Sequence, residues 1–160
     1  LELAAIANAY GEFGDPATAK TMLERALNIQ EMHYGAEDYH VASILTNLAS
    51  AHGALGDPAT KKNMLERALI LKEKQYGAEH YQVVCTLTNL ANAHGDLGDP
   101  ATMKKMLERA LIINEKHYGA THYQVAIIFT NLAKVHGAFG DSATMMKMSE
   151  RALNMKLKHN

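Results

Sequence analysis

Apolar positions return at steps of three and four along two kinds of stretch, and both kinds recur down the chain. Val41, Leu45, Leu48, Ala49 and Leu55, with His52 among them, mark one face of a first helix. Met64, Leu65, Ala68, Leu69 and Leu71 mark one face of a second. No run alternates β-branched and polar residues, so the pattern predicts helices and no strands.

The pattern has a fixed period. Glu37–Ala78 and Glu79–Ala120 agree at 30 of 42 positions. "LERAL" stands at Leu23–Leu27, Leu65–Leu69 and Leu107–Leu111, and as "SERAL" at Ser149–Leu153. "TNLA" stands at Thr46–Ala49, Thr88–Ala91 and Thr130–Ala133. Such a period is the mark of a solenoid, whose units bury their apolar faces by stacking on their neighbours. The expected units are roughly 1–36 (truncated), 37–78, 79–120 and 121–160, in one domain over 1–160. The pattern is already under way at Leu1, which predicts a fragment of a longer array.

The joint inside each unit reads "GDPAT" at Gly14–Thr18, Gly56–Thr60 and Gly98–Thr102, and "GDSAT" at Gly140–Thr144. Gly56 suits the positive φ that ends a helix. Asp57 is a strong N-cap for the next one, and Pro58 fits its first position, where no N–H is needed. Three residues thus stop one helix and start another, giving an antiparallel pair. The joint between units, "YGAEHY" at Tyr76–Tyr81, offers Gly77 as a second helix end, with Tyr81 and Val83 expected to brace the next helix by packing. Eight helices are predicted.

Composition narrows the function classes. Lys plus Arg number 16 and Asp plus Glu 17, for a net charge of −1. A nucleic-acid binder would carry a basic stripe, so nucleic acid is not an expected partner. No apolar run is long enough to span a membrane, and the opening residues lead us to expect no secretory leader. The one cysteine, Cys85, rules out an internal disulfide framework and fits a reducing, cytoplasmic setting, with a role as a small apolar filler.

The stretch "LTNLANAHGDLGD…MLERALIINEKHYGATHYQVA" resembles the tetratricopeptide repeat, in the 42-residue form found in kinesin light chains. The likeness lies in Leu-x-Asn-Leu-Ala, Gly-Asp, Arg-Ala-Leu and Gly-x-x-His-x-x-Val-Ala, and it covers nearly four units. It implies an all-α, right-handed α-solenoid whose first helices line a concave wall. Three departures stand out. His52, His94 and His136 occupy an aromatic position that Tyr10 keeps. Lys61, Met103 and Met145 replace a small alanine early in the second helix. Tyr39, Tyr81 and Tyr123 stand where proline is common.

On the face beside the core stripe lie Asn8 in the first unit, Thr46, Asn47 and Ser50 in the second, Thr88, Asn89 and Asn92 in the third, and Thr130, Asn131 and Lys134 in the fourth. Asn47, Asn89 and Asn131 form a ladder one unit apart. A carboxamide both donates and accepts, as an extended peptide backbone requires. In the resembling family the equivalent asparagines hold cargo peptides by their main chain. The other reading of the ladder is a solvated or internally bonded polar face. Gly53, Gly95 and Gly137 fall within helices at a cost of about 1 kcal/mol each against alanine. They fit either a ligand approaching the backbone or close packing of the neighbouring helix. Few charges lie on the wall, which disfavours a clamp for acidic peptides.

Nine histidines raise the question of a metal or of catalysis. His52, His94 and His136 should stand roughly 10 Å apart, the spacing of packed helices. Zinc–nitrogen bonds are about 2 Å long, so these three cannot share an ion. They are expected as packed residues bonded to a neighbouring helix, with His80 and His122 stabilising turns. No catalytic constellation, metal site or cofactor motif is present in the sequence. The expectation is a non-catalytic scaffold or adaptor that binds a protein or peptide segment. The alternative is a structural spacer that stacks end to end, to which the apolar last helix, with Met145, Met146, Met148 and Met155, points.

Overall fold

A computed structural model describes residues 2–158, with Glu2 through its backbone alone. Among the described residues eight α-helices follow in chain order. They are α1 Glu2–Glu12, α2 Pro16–Tyr34, α3 His40–Ala54, α4 Pro58–Tyr76, α5 Val84–Asp96, α6 Pro100–Tyr118, α7 Tyr123–Ala138 and α8 Ser142–Lys158. A 3-10 turn at Tyr81–Val83 leads into α5, and no strand occurs among the described residues. The helices gather into two compact units, Leu1–Ala78 and Glu79–Asn160.

The short joints are built as their residues dictate. Gly56 has φ +80°, a conformation closed to most side chains. Asp57 Oδ1 then accepts from the Thr60 amide at 3.0 Å, and Pro58 opens α4. Asp15, Asp99 and Asp141 cap α2, α6 and α8 in the same way, at 3.0, 3.0 and 3.1 Å. The cap before α8 therefore survives the exchange of proline for Ser142.

In Asp57, Asp99 and Asp141 the second oxygen faces the histidine one turn back, where Asp15 has Tyr10 instead. His52 Nδ1 lies 3.2 Å from Asp57 Oδ2 and His136 Nδ1 lies 3.2 Å from Asp141 Oδ2. His94 Nδ1 stands 3.4 Å from Asp99 Oδ2. A carboxylate only accepts, so the ring nitrogen facing it carries the proton. One aspartate thus starts the second helix and pins the end of the first. The histidines do pack and bond to the neighbouring helix, as the sequence indicates.

At the other joint, Gly77 has φ +96° and its N–H donates to Glu73 O at 2.8 Å. His80 Nδ1 accepts from the Gln82 amide and His122 Nδ1 from the Gln124 amide, both at 3.2 Å, so these histidines stabilise their turns. Val83 is fully buried. The Tyr81 ring stacks on His117 with centroids 4.0 Å apart and meets the edge of Tyr118.

The first unit has two apolar clusters. Leu23 and Ala26 of α2 pack with Ile44, Leu48 and Ala51 of α3. Val41, Ala42 and Leu45 pack with Ala68 and Leu71 of α4. In the second unit Val125, Ala126 and Phe129 meet Ala152 and Met155 of α8. Leu23, Leu65 and Leu107, one per repeat, are at most 1% exposed. Each burial of that kind contributes roughly 1.5–3 kcal/mol. In the fourth repeat Ser149 takes this place, exposed, and donates to Met145 O at 2.9 Å. Leu55, expected in the core stripe, is instead 45% exposed. It follows the last residue of α3, so the helical period that would turn it inward has already ended.

The arginine of the LERAL motif has a role that its sequence pattern does not announce. Arg67 donates to Glu31 Oε1 at 2.6 Å and to Ala36 O at 2.7 Å, tying α4 to the end of α2. Arg151 lies 3.9 Å from Glu115 and 4.4 Å above the centre of the Phe129 ring.

Candidate interaction face

In the first unit α1 and α3 lie side by side with α2 packed against both. Their common face opens into a cleft of about 340 Å³. Ala7, Ala19, Leu23 and Ala51 form its floor. Asn8, Glu12, Asn47 and Ser50 stand around it. Three residues singled out in the sequence, Asn8, Asn47 and Ser50, therefore share one site. Thr46 is not part of the opening. It is buried, and its hydroxyl donates to Ala42 O at 2.9 Å. Ser50 also donates to its own helix, to Thr46 O at 3.2 Å, but it stays exposed. A hydroxyl whose proton is committed in this way offers a partner only acceptor capacity.

In the second unit α5 and α7 are neighbours. Thr88, Asn89 and Asn92 are half-buried on α5. The Asn89 amide lies 3.9 Å from Cys85 Sγ, a weak acceptor, so its carbonyl oxygen is uncommitted in that contact. Cys85 is exposed rather than packed, a correction to its expected role as filler, because the step from Leu87 turns it away from the buried stripe. On α7 Thr130 donates to Ala126 O at 3.0 Å, Asn131 is 8% exposed, and Lys134 is exposed. The asparagine positions thus differ in access. Asn47 and Asn89 are half open, while Asn131 is largely covered.

The helical glycines separate by their partner on the second helix. A Cβ on Gly53 would stand 2.7 Å from Lys61 Cδ, on Gly95 2.5 Å from Met103 Sδ, and on Gly137 2.9 Å from Met145 Sδ. The long side chains that replace the family's alanine therefore lie over the glycines. Their space serves helix packing, and the alternative of an approaching ligand does not apply at these three. Gly11 is different. Its partner is Ala19, whose Cβ would be 3.7 Å from an added Cβ, and Gly11 borders the cleft. The exchange of Ala19 for Met103 is visible in the sequence; its effect on an opening is not.

Comparison with known proteins settles the family. Sequence models of the tetratricopeptide repeat match residues 3–40, 41–82 and 82–158. The chain belongs to the tetratricopeptide repeat family. No curated protein sequence matches it significantly. Among solved structures, BtubC (BKLC) from P. vanneervenii is similar over 99% of this chain, at 26% identity and a TM-score of 0.87. The chain spans 63% of the length of BtubC. The nearly identical TPR-like repeats of a Podosopora anserina protein named for the kinesin light chain match 98% of this chain and 74% of their own, at 22% identity and TM-score 0.84. MamA matches 98% of this chain and 78% of its own, at 15% identity and TM-score 0.69. The fold is thus the all-α tetratricopeptide-repeat solenoid, in its kinesin light chain-like form. Repeats of this family are in general non-catalytic protein-interaction scaffolds. Among the described residues no helix is long and apolar enough to cross a membrane.

Proposed function

We propose that this tetratricopeptide array is a non-catalytic adaptor that holds a segment of a partner protein against its first helices. Asn8, Asn47 and Ser50 act in one unit, and Thr88, Asn89, Asn92, Thr130, Asn131 and Lys134 in the other. The observation that carries this reading is the gathering of Asn8, Asn47 and Ser50 around one open cleft of about 340 Å³. Carboxamides on a rigid helix face meet the alternating donors and acceptors of a peptide main chain with little loss of side-chain freedom. The outer helix surfaces support the reading from the other side. Some of their charges pair within the helix, as in Lys62–Glu66 at 3.6 Å and Lys104–Glu108 at 3.8 Å.

Selection of phage-displayed random peptides on the immobilised chain tests this. The wild-type chain should enrich a common peptide pattern, and the variant Asn47→Leu/Asn89→Leu/Asn131→Leu should lose it while keeping its helical circular dichroism. Equal enrichment by the variant would rule out capture through the asparagines.

A second reading, contact between copies, is favoured by α8. Met146, Leu153 and Leu157 lie along one line of that helix and are 59%, 56% and 62% exposed. Leu111, at the position of Leu153 in the preceding repeat, packs on the Val125–Phe129 cluster. Light scattering across a concentration series decides it, since a constant monomer mass removes the idea.

A further inference from the structure

The cleft of the first unit has a chemistry more specific than peptide capture. Among its described lining residues Glu12 is the one that carries charge, and no hydrogen bond or ion pair among the described residues engages its carboxylate. Ser50 has spent its proton on Thr46 O, so it faces a ligand as an acceptor. Asn8 and Asn47 add two carbonyl oxygens. The rim therefore offers several acceptors beside the two carboxamide NH2 groups, and its one charge is negative. Ala7, Ala19, Leu23 and Ala51 lie at most 7% exposed beneath it, and the apolar surface a ligand can reach is that of Gly11, Pro16 and Ala54. An apolar trough ending in acceptors and one carboxylate fits an aliphatic stem tipped by a cation.

The second unit supplies an internal comparison at the same repeat positions. Met103 stands for Ala19, with its sulfur over Gly95, and Val135 stands for Ala51. Both are buried and fill the space that the alanines leave open. Lys134 replaces Ser50 and puts a positive charge at the rim. Asp96 stands for Glu12 and keeps its sign, so the second unit pairs larger side chains with a rim of both signs, where the first has two alanines and a single negative charge.

We propose that the cleft among α1, α2 and α3 is the pocket for a lysine or arginine side chain of the bound segment. This rests on the adaptor reading above and adds the charge of the residue recognised. The stem lies along Pro16, Ala51 and Ala54, above the buried Ala7 and Ala19, and the cationic head meets Glu12, Ser50 and the asparagine carbonyls. A segment with an acidic or bulky residue at that point is refused.

The test is an NMR titration of the isotope-labelled chain with four capped tripeptides, acetyl-Gly-X-Gly-amide, where X is lysine, arginine, norleucine or glutamate. Lysine or arginine peptides should shift the Asn8 and Asn47 side-chain amides saturably, and whichever binds more tightly names the source. Norleucine, with the same kind of stem and no charge, should bind about tenfold more weakly, and glutamate should not bind. Glu12→Gln should weaken the basic peptides about threefold, the scale of an exposed ion pair. Ala19→Met should abolish the shifts while leaving circular dichroism unchanged, because Met103 and Met145 already occupy that repeat position. If norleucine binds as well as lysine, or Glu12→Gln changes nothing, the charge assignment is overturned while capture on the wall stands. If no peptide of any charge shifts Asn8, Asn47 or Asn89, both fall.

Discussion

Thr86 occupies in α5 the place that Ile44 holds in α3 and Ile128 in α7. It is fully buried, and its hydroxyl has no hydrogen-bond partner among the described residues. A buried hydroxyl without a partner costs about 1–3 kcal/mol. Thr86→Val keeps the shape and removes the hydroxyl, so it should raise stability by about 1 kcal/mol, read as a higher urea midpoint at unchanged slope. A lower midpoint would show that the hydroxyl is satisfied after all. Residue-level chemistry was legible where a residue acts on its sequence neighbours. Asp57 and Thr60, or His80 and Gln82, lie within three positions of each other, and local geometry brings them together. Arg67 was not legible, because its partners Glu31 and Ala36 are more than thirty positions away.

At the scale of the helix, each GDPAT joint is a small electrostatic device. Hydrogen bonding from Thr60, through its side chain first and its backbone amide second, holds the Asp57 carboxyl below the ordinary aspartate range, with His52 adding in the same direction. Asp15, Asp99 and Asp141 are lowered by Thr18, Thr102 and Thr144 in the same way. A carboxyl whose folded value is depressed stabilises the fold fully above its unfolded value. That contribution is lost as pH falls through the folded one. Four such joints predict stability that is flat in this respect near neutrality and declines below about pH 4. Asp57→Asn keeps an acceptor at the cap and removes one titrating group. Its urea midpoint should therefore fall less steeply between pH 5 and pH 2.5 than that of the wild type. A wild-type midpoint that rises on acidification would contradict the assignment. The helices themselves were legible because periodicity, cap and glycine agree at each GDPAT-type joint, although α3 and α5 begin without a side-chain cap. The glycines inside the helices were not. Whether Gly11 or Gly95 borders open space depends on Ala19 or Met103 eight residues on, a packing matter that spacing alone does not resolve.

Across the whole molecule, near-identity of repeats does not mean near-identity of surfaces. Repeats that share their motifs differ, two repeats apart, at positions that decide access. Ala19 and Ala51 border a cleft where the larger Met103 and Val135 are packed in, and Asn47 is half open where Asn131 is covered. The fold was readable almost entirely, since a repeat that buries apolar faces announces itself many times over. The face proposed for a partner was named from the sequence as a set of positions. Its differences between repeats depend on side-chain volumes in three helices at once. Under the proposed function, those differences would let a scaffold of similar units select one segment in one orientation.

The most direct measurement is a crystal structure of the chain with a peptide enriched on it. Asn47 should donate to and accept from the peptide main chain on the face shared by α1 and α3. A peptide seated instead on the outer surfaces of α2, α4, α6 or α8, with Asn47 and Asn89 untouched, would contradict the account.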